Sequence, residues 1–267
     1  MDVSGGSRSI EMSNIQINKN KKIGKVLFIV EGIKTEINIL YKIFTNIFDY
    51  QYEKLDRLDK YKPYNKKDNP TSSIFVINTE ESNIKDIKDA NGYLDNLFIR
   101  LIDEYNFPVD KATIFYIFDR DNKSNTNPEI IEELLTKLSN SRESNDDFDK
   151  PGLLLLSYPS IESFTTSNYI QNSFEIELET GTELKQYLHE QKVSYQNIND
   201  YTLKLAVEEM QKALNIIDIE DIDLDNFKDT NIKVFNYQED YYSKFKKYRI
   251  FSLLCVALID LGLISIE

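Results

Sequence analysis

The residues best placed to do chemistry are acids that close apolar runs. Glu31 follows VLFIV at residues 26–30, and Asp119 and Asp121 follow ATIFYIF at residues 112–118. A carboxylate set directly after a buried strand stands at the strand's carboxyl end, where open α/β sheets put their sites. In extended chain, residues two apart point the same way, so Asp121 joins Asp119, whereas Arg120 between them points away and reads as a structural ion pair. If the two strands are neighbours, Glu31 converges on both aspartates. Carboxylates held that close repel one another, and either their pKa values rise or a cation neutralises them. With no histidine or cysteine nearby, an oxygen-only set suits Mg²⁺ or Mn²⁺, which keeps waters and binds substrate phosphate. The chemistry this points to is hydrolysis of a phosphodiester, which needs an activated water, neutralised nonbridging oxygens and help for the leaving oxygen.

These acids need strands and helices to hold them. Val26, Leu27, Phe28, Ile29 and Val30 lack alternation, as expected of a strand covered on both faces. After Glu31-Gly32, the residues Ile37, Leu40, Tyr41, Phe44, Ile47 and Phe48 recur at helical spacing, with Thr35 as N-cap and Glu36 in the first turn, where the helix dipole favours an acid. Lys34, in that turn, is placed to contact phosphate at the helix N-terminus. A second strand is expected at 74–77, a helix at 84–105 carrying Ile84, Ile87, Leu94, Leu97, Phe98, Leu101 and Ile102, a third strand at 112–118, a helix from about 129 to 140 opened by Pro128, and a fourth strand at 153–156. That alternation predicts an α/β fold with a parallel sheet of about four strands flanked by helices. The polar, tyrosine-rich stretch 49–70 reads as a solvated connection, with a nucleic-acid-facing loop as the alternative, since Lys54, Arg57, Lys60, Lys62, Lys66 and Lys67 interleave with Tyr50, Tyr52, Tyr61 and Tyr64. Beyond residue 160, helical periodicity at 183–191, 200–216 and 239–262 predicts a helical C-terminal portion. The implied division is a flexible tail at 1–22, an α/β domain at 23–175 and a helical region at 176–267.

Composition bounds the partners. Asp and Glu number 45 against 32 Lys and Arg, a formal charge of −13, so any nucleic-acid contact needs a local basic patch or bound cations. Lys244, Lys246, Lys247 and Arg249 form the densest basic cluster. The single cysteine, Cys255, excludes an internal disulfide, fits a reducing cytoplasm and reads as a small buried hydrophobe. The N-terminal segment lacks the apolar core of a signal peptide, and the apolar stretch 250–264 is shorter than a bilayer span and carries Asp260, so no membrane association is expected. His189, the sole histidine, lies away from every motif.

The string FIVEGIKTEINILY followed by YIFDRD resembles the TOPRIM domain, whose metal centre uses a glutamate after the first strand and a DxD after the third. More narrowly, EGxKTExxxLY together with LSYPSIESF resembles the RloB-like branch, associated with prokaryotic antiphage defence by abortive infection and related to the nuclease domains of OLD-family proteins. The resemblance covers about residues 24–172. It implies a metal-dependent nuclease acting on DNA or RNA, transfer RNA included, with Mg²⁺ or Mn²⁺ held by Glu31, Asp119 and Asp121. Glu36 and Glu162 are then candidates for a second metal or for proton transfer, and Ser157 for a polar contact in the site. It also implies a separate ATPase partner, since no G-x-x-x-x-G-K-[ST] loop occurs in the chain, and a homo-oligomer is compatible with it.

Two other classes compete with this one. A haloacid-dehalogenase-type phosphatase uses a DxD after a strand with its first aspartate as nucleophile, but that pattern wants Thr or Val two residues after the second aspartate, where Lys123 stands. A non-catalytic scaffold would dock on a partner ATPase through the tyrosine-rich stretch or the apolar C-terminal segment.

Overall fold

The computed structural model describes residues 14–32, 34–52, 62–66, 68–78, 89–122, 127–143 and 150–267. Strand β1 (Ile15–Ile17) leads to β2 (Lys25–Val30), whose residues after Lys25 are all buried, so the missing alternation does reflect cover on both faces. Helix α1 (Thr35–Lys42) starts one residue earlier than a Thr35 cap implies: Lys34 holds the cap position without a side-chain bond, and Thr35 is already helical. It continues as a π-helical turn over Ile43–Ile47.

Strands β3 (Tyr50–Tyr52), β4 (Lys62–Lys66) and β5 (Asn69–Asn78) then form an antiparallel meander. This corrects the expected solvated connection. Its polar composition conceals rings that do the packing: Tyr50 lies 5.8 Å from Phe44, and Tyr64 packs on Tyr41 and Tyr52, so both Tyr50 and Tyr64 are buried. Residues 53–61, with Lys54, Arg57, Lys60 and Tyr61, lie outside the described residues.

Helix α2 (Ala90–Ile99) is capped by Asp89, which accepts from the N–H groups of Asn91 and Gly92, and runs into a π-helical turn over Arg100–Glu104. Leu94, Leu97, Phe98 and Leu101 are buried as expected, but the wider turn carries Ile102 out to 50% exposure. Ile84 and Ile87 fall outside the described residues. Strand β6 (Ala112–Asp119) and helix α3 (Pro128–Lys137) follow, with Pro128 at the helix start and Asn127 accepting from the Glu129 N–H at 3.1 Å. Next come β7 (Ser139–Asn140) and β8 (Gly152–Tyr158).

The C-terminal portion contains α4 (Glu162–Ser167), β9 (Glu177–Leu178), α5 (Gly181–Glu190), α6 (Asp200–Ile216), α7 (Phe227–Phe245), β10 (Tyr248–Arg249), β11 (Phe251–Ser252), α8 (Leu254–Asp260) and β12 (Ile264–Ile266). The single helical stretch expected at 239–262 is therefore divided. Lys246 adopts a left-handed conformation that closes α7, and the chain then spends two short strands on pairing, β10 with β9 and β11 with β8. The expected tail also stops short of residue 22, because β1 pairs antiparallel with β12 and buries Ile15.

The main sheet runs in the order β11-β8-β6-β2-β5-β4-β3, with β7 also on β8. Its centre is the expected set: β5, β2, β6 and β8 are neighbours and parallel, while β3, β4, β7 and β11 make the sheet mixed. From β2 the chain crosses to β5 on one side and returns to β6 on the other, so a crevice opens at the carboxyl ends of β2 and β6. One apolar core joins these strands to α6, α7 and α8, so packing is continuous across residue 175. Among the described residues no helix is long and apolar enough to cross a membrane.

Candidate functional site: a carboxylate crevice

Glu31 lies one residue beyond β2, and the backbone there is pinned from both sides. The carbonyls of Glu31 and Val30 accept from Asn78 Nδ2 at 2.6 and 3.1 Å, while the Glu31 N–H donates to the Ile117 carbonyl at 3.4 Å. Its side chain reaches the neighbouring strand, where Oε2 accepts from the Asp119 N–H at 3.0 Å. Asp119, the last residue of β6, repeats the move toward β8, Oδ1 accepting from the Ile161 N–H at 2.8 Å. Each carboxylate is thus tied to the chain that follows the next strand.

Glu36 enters from the first turn of α1. Its carboxylate folds back over the backbone at Gly32 and fills the space a Cβ there would occupy, so a larger residue at 32 would make Glu36 swing aside. Glu162 opens α4 and is buried; Ser160 Oγ donates to its Oε2 at 2.8 Å, and Lys185 Nζ from α5 stands 3.4 Å from its Oε1. Asp121 lies by the start of α5: a Cβ on Gly181 would sit 3.9 Å from Asp121 Oδ2 and 2.9 Å from Ser160. Helix α5 begins there because Thr180 caps it, accepting from the Glu183 N–H at 3.2 Å, while Glu183 Oε2 accepts from the Glu179 N–H at 2.9 Å.

These acids feel one another. Burial pushes Glu31 up to about 7; the Asp119 N–H opposes the rise, and the charges of Glu36 and Asp121 add to it. Asp119 is raised well above the usual carboxylate range, by burial first and then by Glu36, Glu31 and Glu162. Glu36 is raised by burial and by Glu162, with Lys185 working the other way.

The remaining sequence candidates fall around this crevice. Lys34 is exposed at the start of α1. Ser157 is opposite Asp119 in the sheet register, but its buried hydroxyl shares a 2.8 Å hydrogen bond with Ser252 of β11, so its polar atom is committed to β11. Arg120 is fully buried and bound by both Glu239 oxygens, Nε to Oε1 at 2.8 Å and Nη2 to Oε2 at 2.7 Å, between the rings of Phe235 and Tyr248. The ion pair read from the DRD spacing is present. His189 is exposed on α5, and burial pushes the Cys255 thiol up to about 12. Lys123 lies outside the described residues.

Asn78, Ser160, Lys185 and Glu239 escaped the sequence reading. Ser160 sits inside SYPSIES, two residues before Glu162, and was within reach. Lys185 and Glu239 carry no local signal, because only the packing of α5 and α7 brings them in.

The donor set is all carboxylate oxygen and crowded with like charge, which is the chemistry of an oxygen-seeking cation. Its oxygens are nevertheless turned to backbone N–H groups, a serine and a lysine, and among the described residues no group of three or more acids, histidines or cysteines is gathered as a ready set of metal ligands. The donors fit a hard cation in kind, while their present partners are the chain's own groups. Fold and crevice together define an α/β protein with a mixed sheet and carboxylates at its topological switch point. Comparison with known proteins finds no matching family profile, no matching curated protein and no matching solved structure.

Proposed function

We propose that this chain is a divalent-metal-dependent nuclease of the TOPRIM type, on the RloB-like branch, hydrolysing phosphodiester bonds as the effector of a prokaryotic antiphage defence system. One observation carries the reading: the Glu31 carboxylate meets the end of β6 through the Asp119 N–H at 3.0 Å, across two neighbouring parallel strands. The acids of the two motifs therefore face one crevice, although 88 positions separate them.

In this reading Glu31, Asp119 and Asp121 hold Mg²⁺ or Mn²⁺. When bound, the ion lowers the pKa of a water and neutralises charge on the nonbridging phosphate oxygens. Glu36 and Glu162 complete a second site or carry a proton, and Ser160 orients Glu162 through its 2.8 Å hydrogen bond. Lys185, beside Glu162, and Lys34, at the start of α1, are placed to meet phosphate. Arg120 takes no part in the chemistry and holds α7 against the end of β6. A separate ATPase as partner and a cytoplasmic location belong to the same proposal.

No observation favours the phosphatase reading, and Lys123 stands where its pattern wants Thr or Val. The test is to incubate the purified chain, alone and with its partner ATPase, with labelled DNA and RNA in Mg²⁺ or Mn²⁺. Calorimetric titration of Mg²⁺ runs in parallel. Cleavage by the native chain, with both cleavage and Mg²⁺ binding lost in Glu31→Gln, is the expected result. Absence of cleavage under every condition, or Mg²⁺ affinity unchanged in Glu31→Gln, overturns it.

A further inference from the structure

Helix α7 ends in a cluster that the crevice does not use. Tyr237, Tyr241 and Phe245 recur every fourth residue and so share one face. Tyr237 and Tyr241 stack with their planes 14° apart, and the Tyr241 and Phe245 ring centroids are 4.6 Å apart. The ladder is braced from β9 and β10: Tyr241 donates to Glu177 Oε1, and the Arg249 guanidinium lies 4.8 Å from the Tyr241 ring centre and 5.4 Å from that of Phe174. Arg249 Nε is buried and finds no hydrogen-bond partner among the described residues. At the open end Phe245 is 56% exposed, a large ring left uncovered beside its stacked neighbours.

Charge concentrates at the same place. Between residues 240 and 249 stand Lys244, Lys246, Lys247 and Arg249 against Asp240 alone, in a chain whose net charge is −13. The ladder is also tied to the carboxylate crevice. Glu239, next to these residues on α7, grips Arg120 between Asp119 and Asp121, and β10 pairs with β9, which leads directly into α5 and Gly181 beside Asp121.

We propose that the end of α7 together with β10 is a binding platform for single-stranded nucleic acid, on which an unpaired base stacks against Phe245 while the exposed Lys244, Lys246 and Lys247 hold the flanking phosphates and Arg249 braces the ladder from behind. Exposed rings stack on base faces that a duplex keeps covered, and the lysines supply the counterion-releasing contacts that a negative chain otherwise lacks. The platform rests on the nuclease reading for its purpose, since it names the form in which that crevice meets its substrate, but its existence is measured without any cleavage.

The experiment is fluorescence anisotropy with labelled oligouridylate, oligothymidylate and a duplex of equal length, in EDTA, over a series of salt concentrations. The native chain should bind both single strands more tightly than the duplex. Phe245→Ala should weaken that binding roughly 5- to 100-fold. Lys244→Ala and Lys247→Ala should each lower the salt slope by roughly 0.7. Thermal unfolding should be unchanged in the two lysine variants, whose side chains are exposed, and only slightly lowered in Phe245→Ala, which loses its contact with Tyr241. No binding by the native chain at low salt, equal affinity for duplex, or affinities unmoved by the three substitutions would each overturn the platform. Metal-supported cleavage that persists at native rate in Phe245→Ala removes the platform and leaves the nuclease reading standing. Binding that depends on Phe245 without cleavage in Mg²⁺ does the reverse.

Discussion

Asp119 and Arg120 share a peptide bond at the end of β6 and meet burial in opposite ways. Arg120 is fully buried, and Glu239 accepts two of its hydrogen bonds beside the rings of Phe235 and Tyr248. Asp119 is raised by burial and by the charges of Glu36, Glu31 and Glu162, with the Ile161 N–H working the other way. One position meets an opposite charge; the other meets like ones. A buried ion pair in bidentate geometry holds elements together, whereas crowded acids are tolerated where something outside the chain balances them. The difference sets two adjacent positions in opposite electrostatic surroundings, which spacing alone does only in outline.

The Arg120 side should be the more fragile. Glu239→Ala takes away the carboxylate that accepts two hydrogen bonds from the buried Arg120, and should cost about 3–5 kcal/mol in urea unfolding. A loss under about 1 kcal/mol would mean that water reaches Arg120 and that the contrast is overstated.

The acidic side should respond in the other direction. With its folded pKa near 7 against an ordinary value of 4.5, Glu31 binds more protons in the native state than in the unfolded chain between those two values. The metal-free protein therefore loses stability as pH rises from about 4.5 to about 7, and the penalty stays in full above that window. Glu31→Gln should flatten this dependence and raise stability near pH 8 by about 1–3 kcal/mol, while abolishing Mg²⁺ binding. Chemical denaturation at pH 5 and pH 8 reads the sign; a variant less stable than the native chain at pH 8 would show that Glu31 is a stabilising group.

Gly32→Ala probes how the crevice is closed from α1. The added methyl takes the place of the Glu36 carboxylate, which must turn to another rotamer, and should cost about 0.5–1.5 kcal/mol by thermal unfolding. Gly32→Ala combined with Glu36→Ala should recover most of that loss, because the colliding atoms are gone.

Effects no larger than that come from two caps. Thr180→Ala and Asn127→Ala each remove an N-cap bond and should each cost about 1 kcal/mol. They part company in Mg²⁺ titration. Thr180 sets the start of α5 beside Asp121 and Lys185, so its loss should weaken the ion's binding, while Asn127→Ala should leave it unchanged. Equal behaviour would detach α5 from the site.

The central strands were legible because a doubly covered strand must be apolar throughout, and runs such as Leu153 to Leu156 admit little else. Helices α3 and α5 were marked by Pro128 and by periodicity, and α6 appeared at the residues its pattern named. The misses share a cause. Strands β3, β4, β9, β10 and β11 are only two to five residues long, too short for a period to show, and owe their pairing to partners elsewhere in the chain, as when Phe251 and Ser252 pair with Tyr158 and Ser157. Ile102 followed the right period into the wrong environment once the helix widened after Ile99. Ser157, chosen for its place in a motif, was taken up by Ser252.

What the chain specified on its own was therefore local. Acids close apolar runs, Arg120 between two aspartates turns away from them, and Lys244, Lys246, Lys247 and Arg249 gather the basic charge, whereas the helix end that exposes Phe245 among them came only with the fold. The first three follow from side-chain type and from the periods of strand and helix, which need no knowledge of neighbours. Which strand lies beside β2, that Glu31 reaches the Asp119 N–H, that Lys185 covers Glu162 and that Glu239 seals Arg120 were decided only in three dimensions. Contacts between residues so far apart depend on the order in which strands pack and on the loops that carry them there, and neither is written in any short window of sequence.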